Sequence, residues 1–319
     1  MVLGNLLFAL GLAGVGVLSL GSGDFPYAWQ PVPEWVLWRK YLANVSGLLL
    51  LGLGISMLVK RSARTSTFFT TIYLVIWVVL LQSPHVVQAP ANVGAWLGLC
   101  ENLVLACGGW VLFISFGAVP HNSRLRFLTD PRLPRLLFGL SCIVFGLSHF
   151  VYVDGTAAMV PAWLPHRVFL AYLTGAGHFA AGVAISCRIV PRLAAILEAS
   201  MITLFVLLLH VPGVFTAPGN RFQWTMLFVA SARAGAAWLV TGSFREFSPR
   251  AGPKLPQPKV TNRGCTHTKR TTSLCSVSRQ FQHKYIHTVK PLAAMPKLSL
   301  GFAVRATIAT VYFARLPKS

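Results

Sequence analysis

Apolar residues fill long stretches of this chain, and charged positions fall mainly between them. Eight stretches are long enough to cross a bilayer, because a hydrocarbon core about 30 Å thick needs roughly 20 helical residues. The third and seventh stretches end at Pro84 and Pro212, where proline is expected to stop the helix. The pattern predicts an all-α, polytopic membrane protein. Its eight transmembrane helices cover approximately residues 3–22, 38–59, 67–84, 93–116, 133–152, 166–187, 193–211 and 222–242.

Composition supports this class and divides the chain into two parts. Of the 319 residues, 55% are hydrophobic and 11% are charged, whereas soluble domains have about 25% charged residues. An ordinary soluble domain is therefore excluded. The net charge is +21, but residues 247–319 contain 13 of the 28 basic residues and none of the seven acidic ones. Most of the net charge thus belongs to the C-terminal tail.

The basic residues between the helices predict the orientation. The loops after the second, fourth and sixth helices carry three, four and two Lys or Arg, while the other loops carry two, none, one and one. Basic loops stay in the cytoplasm under the positive-inside rule. Both termini are therefore predicted to be cytoplasmic in a multi-pass protein of the bacterial inner membrane.

The chain contains an internal repeat. At an offset of 128, residues 32–113 align with 160–241 without a gap, and the three tryptophans of the second half all fall on tryptophans of the first. The repeat predicts two four-helix units, residues 1–120 and 133–245, joined by a cytoplasmic linker at 121–132. Because four is an even number, both units insert in the same direction. They are therefore expected to form parallel-repeat bundles related by an axis along the membrane normal.

The tail, residues 246–319, is predicted to be basic, cytoplasmic and mostly disordered. It has no clear hydrophobic period before residue 298. Attraction to anionic lipids and a read-through extension without selected function both remain open. Nucleic-acid binding is disfavoured, because the chain shows no recognition module.

The second unit contains a motif with a known resemblance. The run Gly146–Tyr152 (Gly-Leu-Ser-His-Phe-Val-Tyr), followed by Met159–Pro165 and Tyr172–Gly175, resembles the DoxX-like family of four-helix bacterial membrane proteins. The first unit matches more weakly, with Asp24-Phe25 in place of His149-Phe150.

The resemblance implies a four-helix membrane fold and, more loosely, a place in a quinone-linked redox complex. It implies the lipid bilayer and other subunits of such a complex as partners. Quinone is the candidate ligand, and no other cofactor and no metal site is evident. Any enzymatic role would be that of a membrane subunit of an oxidoreductase.

Glu101 and Arg233 are the main ionisable residues at bilayer depth within the predicted spans. Glu101 is in the fourth helix and Arg233 is in the eighth, and the repeat places them one turn apart on corresponding faces. They are predicted to pair if those helices meet. The pair is either a structural salt bridge or part of an anion or proton site between the repeats.

His149 and Asp24 occupy equivalent positions near the outer ends of the fifth and first helices. An imidazole there is a candidate for binding a quinone or relaying protons, because its pKa is ordinarily near 6.5. A helix cap or a water-facing side chain is the alternative. His178, in the middle of the sixth helix, is a third candidate. It is expected to hydrogen-bond a neighbouring helix rather than bind a metal.

A Pro- and Trp-containing segment follows the first helix of each unit. Pro33 and Trp35 mark it in the first unit, and Pro161 and Trp163 mark it in the second. Each segment is either an interfacial aromatic belt or a lid over a ligand. Three functions remain open: a quinone-linked redox subunit, a transporter of a small solute or lipid with a site between the repeats, and a non-catalytic assembly protein.

Overall fold

The computed structural model of this protein describes residues 2–26, 29–117 and 126–246, which form helices and loops and contain no strand. Within these residues, eight helices are long and apolar enough to span a membrane, which confirms the predicted all-α class and the eight predicted spans. The tail from residue 247 onward and linker residues 121–125 lie outside this description. The eight helices are α1 Val2–Ser22, α2 Arg39–Leu58, α3 Ala63–Gln88, α4 Val93–Ser115, α5 Arg132–Val151, α6 Arg167–Ser186, α7 Pro191–Thr216 and α8 Arg221–Glu246.

The prediction that Pro84 and Pro212 end their helices is wrong. In α3 a π-helical turn at Val78–Gln82 precedes Pro84, and in α7 a π-helical turn at Val206–His210 precedes Pro212. Proline has no N–H, and its ring clashes with the preceding turn of an α-helix. The wider π turn rearranges the hydrogen bonds there, so that each helix continues for about one further turn.

Helices α4 and α8 occupy the centre of the bundle. In each of them 61% of the spanning residues are buried, against 33% in α2, α3, α6 and α7. The two helices pack against each other, and α4 also packs on α3 and α5 while α8 packs on α7 and α1. Each half of the sequence therefore places its last helix in a core shared with the other half.

Small residues allow this close packing. A Cβ at Gly235 of α8 would collide with the backbone of α1 at Phe8, and a Cβ at Gly108 of α4 would collide with Ala236 of α8. Small residues at helix contacts are the usual way to pack helices tightly in a membrane, where apolar burial gives little driving force between helices.

Two polar contacts join the halves at the end of the bundle that the loop charges predict to face outward, called the outer end below. Arg221, at the start of α8, donates to the carbonyl oxygen of Asp24 at 2.6 Å. The Tyr152 hydroxyl, just after α5, donates to Asn92 Oδ1 before α4 at 3.1 Å. Both bonds connect the segment after a unit's first helix to the last helix of the other unit.

The two halves also share local structural features, which lie 128 residues apart like the sequence repeat. The Trp96 indole donates to the carbonyl oxygen of Pro90 at 2.9 Å, and the Trp224 indole donates to that of Pro218 at 2.8 Å. The two π-helical turns also lie 128 residues apart. The sequence repeat thus extends to turns and side-chain hydrogen bonds.

Candidate functional site

An arginine fixes the segment that follows α1. Arg39 contacts Asp24 Oδ1 through NH2 at 2.8 Å and through Nε at 3.0 Å, and it also donates to the carbonyl oxygen of Val32. Its guanidinium lies over the Phe25 ring, 5.7 Å from the centroid. The structure therefore places Asp24, a candidate ligand or relay residue, in an ion pair that holds this segment.

Beneath this segment lies a cavity of about 610 Å³, called the first-unit cavity below. Pro33 and Trp35, the two lid candidates of the first unit, both line it. Its other walls come from α2 and α3 and are mostly apolar; they include Leu42, Val45, Leu49, Trp77, Leu80 and Leu81.

The first-unit cavity has a neutral polar floor. The Tyr73 hydroxyl lies 2.6 Å from Ser46 Oγ and accepts a 2.8 Å hydrogen bond from Gln30 Nε2. Tyr73 and Ser46 line the cavity, and Gln30 is buried behind them. The floor therefore offers hydroxyl groups, which both donate and accept hydrogen bonds, and the Gln30 amide holds the Tyr73 hydroxyl from behind.

The corresponding segment of the second unit is arranged differently. It contains a short helix, Val153–Met159, that has no counterpart in the described part of the first segment. Trp163 is 67% exposed, as its counterpart Trp35 is at 82%, and Pro161 is half-buried. Neither residue lines the first-unit cavity or the smaller cavity described below.

Three ionisable side chains meet within the second unit. His178 Nδ1 lies 2.7 Å from Glu198 Oε1, and the His149 ring packs edge-on against the His178 ring with 5.1 Å between centroids. His149 Nδ1 also lies 3.0 Å from Thr174 Oγ1. The structure thus brings His149 and His178 together, and the partner of His178 is on the neighbouring helix.

The charges of α4 and α8 also meet. Glu101 Oε2 lies 2.9 Å from Arg233 NH2, and both side chains are largely buried. They line a cavity of about 220 Å³, together with Trp29, Thr225 and Met226 among others. Arg233 Nε is buried without a hydrogen-bond partner in the described structure. The pair thus joins the halves and leaves one donor of the guanidinium unused.

Sequence reasoning missed Glu198, Tyr73 and Gln30. Glu198 was detectable, because an acidic residue inside the predicted seventh span meets the criterion that selected Glu101. Tyr73 and Gln30 gave no such signal, since they are neutral and 43 residues apart. Within the described ranges, no group of three or more His, Cys, Asp or Glu is arranged to hold a metal ion.

Comparisons with protein-family models, curated proteins and solved structures found no match to this chain. The DoxX-like resemblance therefore rests on its motif. In the structure, Gly146–Tyr152 forms the last turns of α5 and the residue after it, with His149 facing α6.

Proposed function

We propose that this integral membrane protein binds a lipid-soluble ligand of the quinone class in the first-unit cavity. The cavity itself is the observation that supports this proposal. Ligand sites are typically about 300–1,000 Å³ in volume, mostly apolar, and provided with a few polar groups. The first-unit cavity has this size and this distribution of polar groups.

The chemistry of the walls favours a ring with carbonyl groups and an apolar chain. Trp77 and Tyr73 provide aromatic surface, and their rings are 5.6 Å apart. Hydroxyl donors at the floor suit neutral carbonyl oxygens, and the described lining includes no Asp, Glu, Lys or Arg; its ionisable imidazole is His85. The sequence predicted His149 as the quinone contact, but the cavity that supports the proposal lies in the other unit.

Access from the membrane is consistent with a lipid-soluble ligand. Four apolar residues line the cavity and are also exposed on the sides of the helix bundle: Leu42, Val45, Leu49 and Leu80. In a bilayer, exposed apolar side chains of spanning helices contact lipid tails. A ligand dissolved in the bilayer would thus reach the cavity between α2 and α3 without crossing an aqueous phase.

On this proposal the protein consists of two DoxX-like repeats and acts as a membrane subunit of a quinone-linked redox complex. The internal repeat and the motif at Gly146–Tyr152 support the family, and the α4–α8 contact suits a pseudo-twofold axis at the centre of the bundle. Other subunits of that complex would be its partners in the bacterial inner membrane.

The test measures binding of a short-chain ubiquinone analogue to the full chain in lipid nanodiscs. Quinones quench indole fluorescence, and Trp35 and Trp77 line the cavity. We expect Tyr73→Phe to weaken binding about tenfold, because a lost hydrogen bond of about 1.4 kcal/mol changes an equilibrium constant by that factor.

Tyr41→Phe is the matched control, since Tyr41 is on the same α2–α3 side but 66% exposed and outside the cavity. Binding by this variant should equal that of the unmodified protein. If the unmodified protein does not bind the analogue, or if both variants bind equally well, the proposal is wrong.

Transport of a small anionic solute is a second candidate, and the Glu101–Arg233 site favours it. Arg233 lines the 220 Å³ cavity beside Glu101, and its Nε, which is buried without a partner in the described structure, is a donor that an anion could use. A charge swap, Glu101→Arg with Arg233→Glu, keeps a pair but reverses its polarity. Loss of anion flux in proteoliposomes by a folded double variant supports transport, and unchanged flux contradicts it.

A further inference from the structure

The side chains of His149, His178 and Glu198, called the ionisable row below, run inward from the outer end of the second unit. His149 lies near the last residue of α5, and Glu198 lies in the second turn of α7, which begins at the opposite end. His178, on α6, contacts both. The Phe205 ring covers the two imidazoles, with centroid distances of 6.3 Å to His149 and 5.7 Å to His178.

Glu198 is the deepest member of the row and is fully buried. Its Oε1 is paired with His178, while Oε2 is buried without a nitrogen or oxygen partner in the described structure. A lone carboxylate in such a place is costly, because burial removes its hydration. One proton shared between Glu198 and His178 makes the pair neutral overall and removes most of that cost.

The hydrogen bonds of His149 determine which of its two ring nitrogens carries no hydrogen. Its Nδ1 faces the Ala171 carbonyl oxygen, which only accepts, and Thr174 Oγ1, whose own hydrogen is directed to backbone carbonyls. Nδ1 must therefore carry a hydrogen and donate it. In the neutral ring this leaves Nε2 as a bare acceptor, the tautomer needed to take up a proton.

The helices around the row add few competing charges. From α5, Cys142 lies next to Glu198, and Cys100 and Cys107 of α4 lie beyond it. From α8, Trp238 and Thr241 reach α7 through uncharged hydrogen bonds. Within the described ranges, the titratable groups seen near the His178–Glu198 pair are His149 and these thiols.

The first unit shows that the fold does not need this row. At the offset of 128, His178 corresponds to Leu50 and Glu198 corresponds to Thr70, and both of these residues are buried. The first unit thus fills the same positions with an apolar side chain and an uncharged hydroxyl side chain. A purely structural need for a buried acid and base would apply to both units.

We propose that His149, His178 and Glu198 form a proton-binding site that exchanges protons with the outer end of the bundle. His149 receives the proton at Nε2, and the His178–Glu198 pair holds it deeper in the membrane. The site is independent of the first-unit cavity, so the proton-binding proposal and the ligand-binding proposal are tested by separate experiments.

The test is pH-dependent infrared difference spectroscopy on the full chain in nanodiscs, between about pH 5 and pH 9, a range that spans the ordinary pKa of histidine. We expect a change in the carbonyl band of a protonated carboxyl group that is lost in Glu198→Gln. Glu101→Gln is the matched control, because Glu101 is also an acid inside a spanning helix but pairs with Arg233. Its variant should keep the band.

Histidine NMR provides a second readout if Glu198→Gln is unstable. In the unmodified protein labelled at histidine nitrogens, the His178 signals should change with pH, and His149→Gln should slow the exchange of protons at the His178 ring. A carboxyl band that persists in Glu198→Gln, or His178 signals that do not change over this pH range, would overturn the proposal. Quinone binding by Glu198→Gln should stay unchanged, which separates this result from the ligand proposal.

Discussion

The Glu101 carboxylate lies 2.9 Å from the Arg233 guanidinium and joins α4 to α8 at the centre of the bundle. Removing one partner leaves the other charge buried and unpaired, whereas removing both leaves neither. We expect Glu101→Gln and Arg233→Gln each to destabilise the protein by about 2 kcal/mol, below the roughly 3–5 kcal/mol of fully buried pairs. Partial exposure of Glu101 is the reason for the lower value.

Thermal unfolding in detergent measures this effect. The double variant Glu101→Gln with Arg233→Gln should be less destabilised than the sum of the two single variants. Strict additivity would show that the two side chains do not interact.

The contact between α1 and α8 gives a second prediction. Gly235→Ala places a methyl group against the α1 backbone at Phe8, and overpacking of this kind costs about 1–3 kcal/mol. Gly52→Ala is the matched control, since no atom lies within 4 Å of a Cβ at Gly52 of α2. The midpoint of thermal unfolding should fall for Gly235→Ala and stay within error for Gly52→Ala. Equal midpoints would contradict the described packing.

A third prediction concerns the segment that covers the first-unit cavity. Arg39→Gln removes the ion pair with Asp24 and the bond to the Val32 carbonyl. We expect amide hydrogen exchange in residues 29–38 to accelerate about tenfold, because a loss of about 1.4 kcal/mol in local stability changes the opening equilibrium by that factor.

Arg167→Gln provides its control. Arg167 begins α6 as Arg39 begins α2, but it is exposed. Exchange in residues 29–38 should not change in this variant. Unchanged exchange in Arg39→Gln would show that the segment is held by other contacts.

The fourth prediction tests the orientation. Cys187 is exposed after α6, at the end that the basic loops predict to be cytoplasmic. In a background with Cys265→Ser and Cys275→Ser, a membrane-impermeant maleimide should label Cys187 only after the cells are opened. A cysteine introduced at Gly219, which has open space around it, should react in intact cells. The reverse labelling pattern would invert the topology.

Some features followed directly from the order of residues. The eight spans were predictable because a bilayer imposes both a length and an apolar composition on each helix. The pairing of Glu101 with Arg233 was predicted on the condition that α4 and α8 meet, because the repeat relates the two helices by register; the contact between the helices came from the structure. The continuation of α3 and α7 past Pro84 and Pro212 was not expected, since a π-helical turn depends on hydrogen bonds that composition does not encode.

By itself, the sequence predicted an all-α membrane protein with eight spans within residues 2–246, because local apolar length is a property of each segment alone. Only the tertiary structure decided which side chains share a space. It placed Tyr73 with Gln30 beneath the segment that Arg39 holds, and it placed His178 against Glu198. Such groupings depend on the rotation and depth of each helix against its neighbours, which are set by packing across the whole bundle.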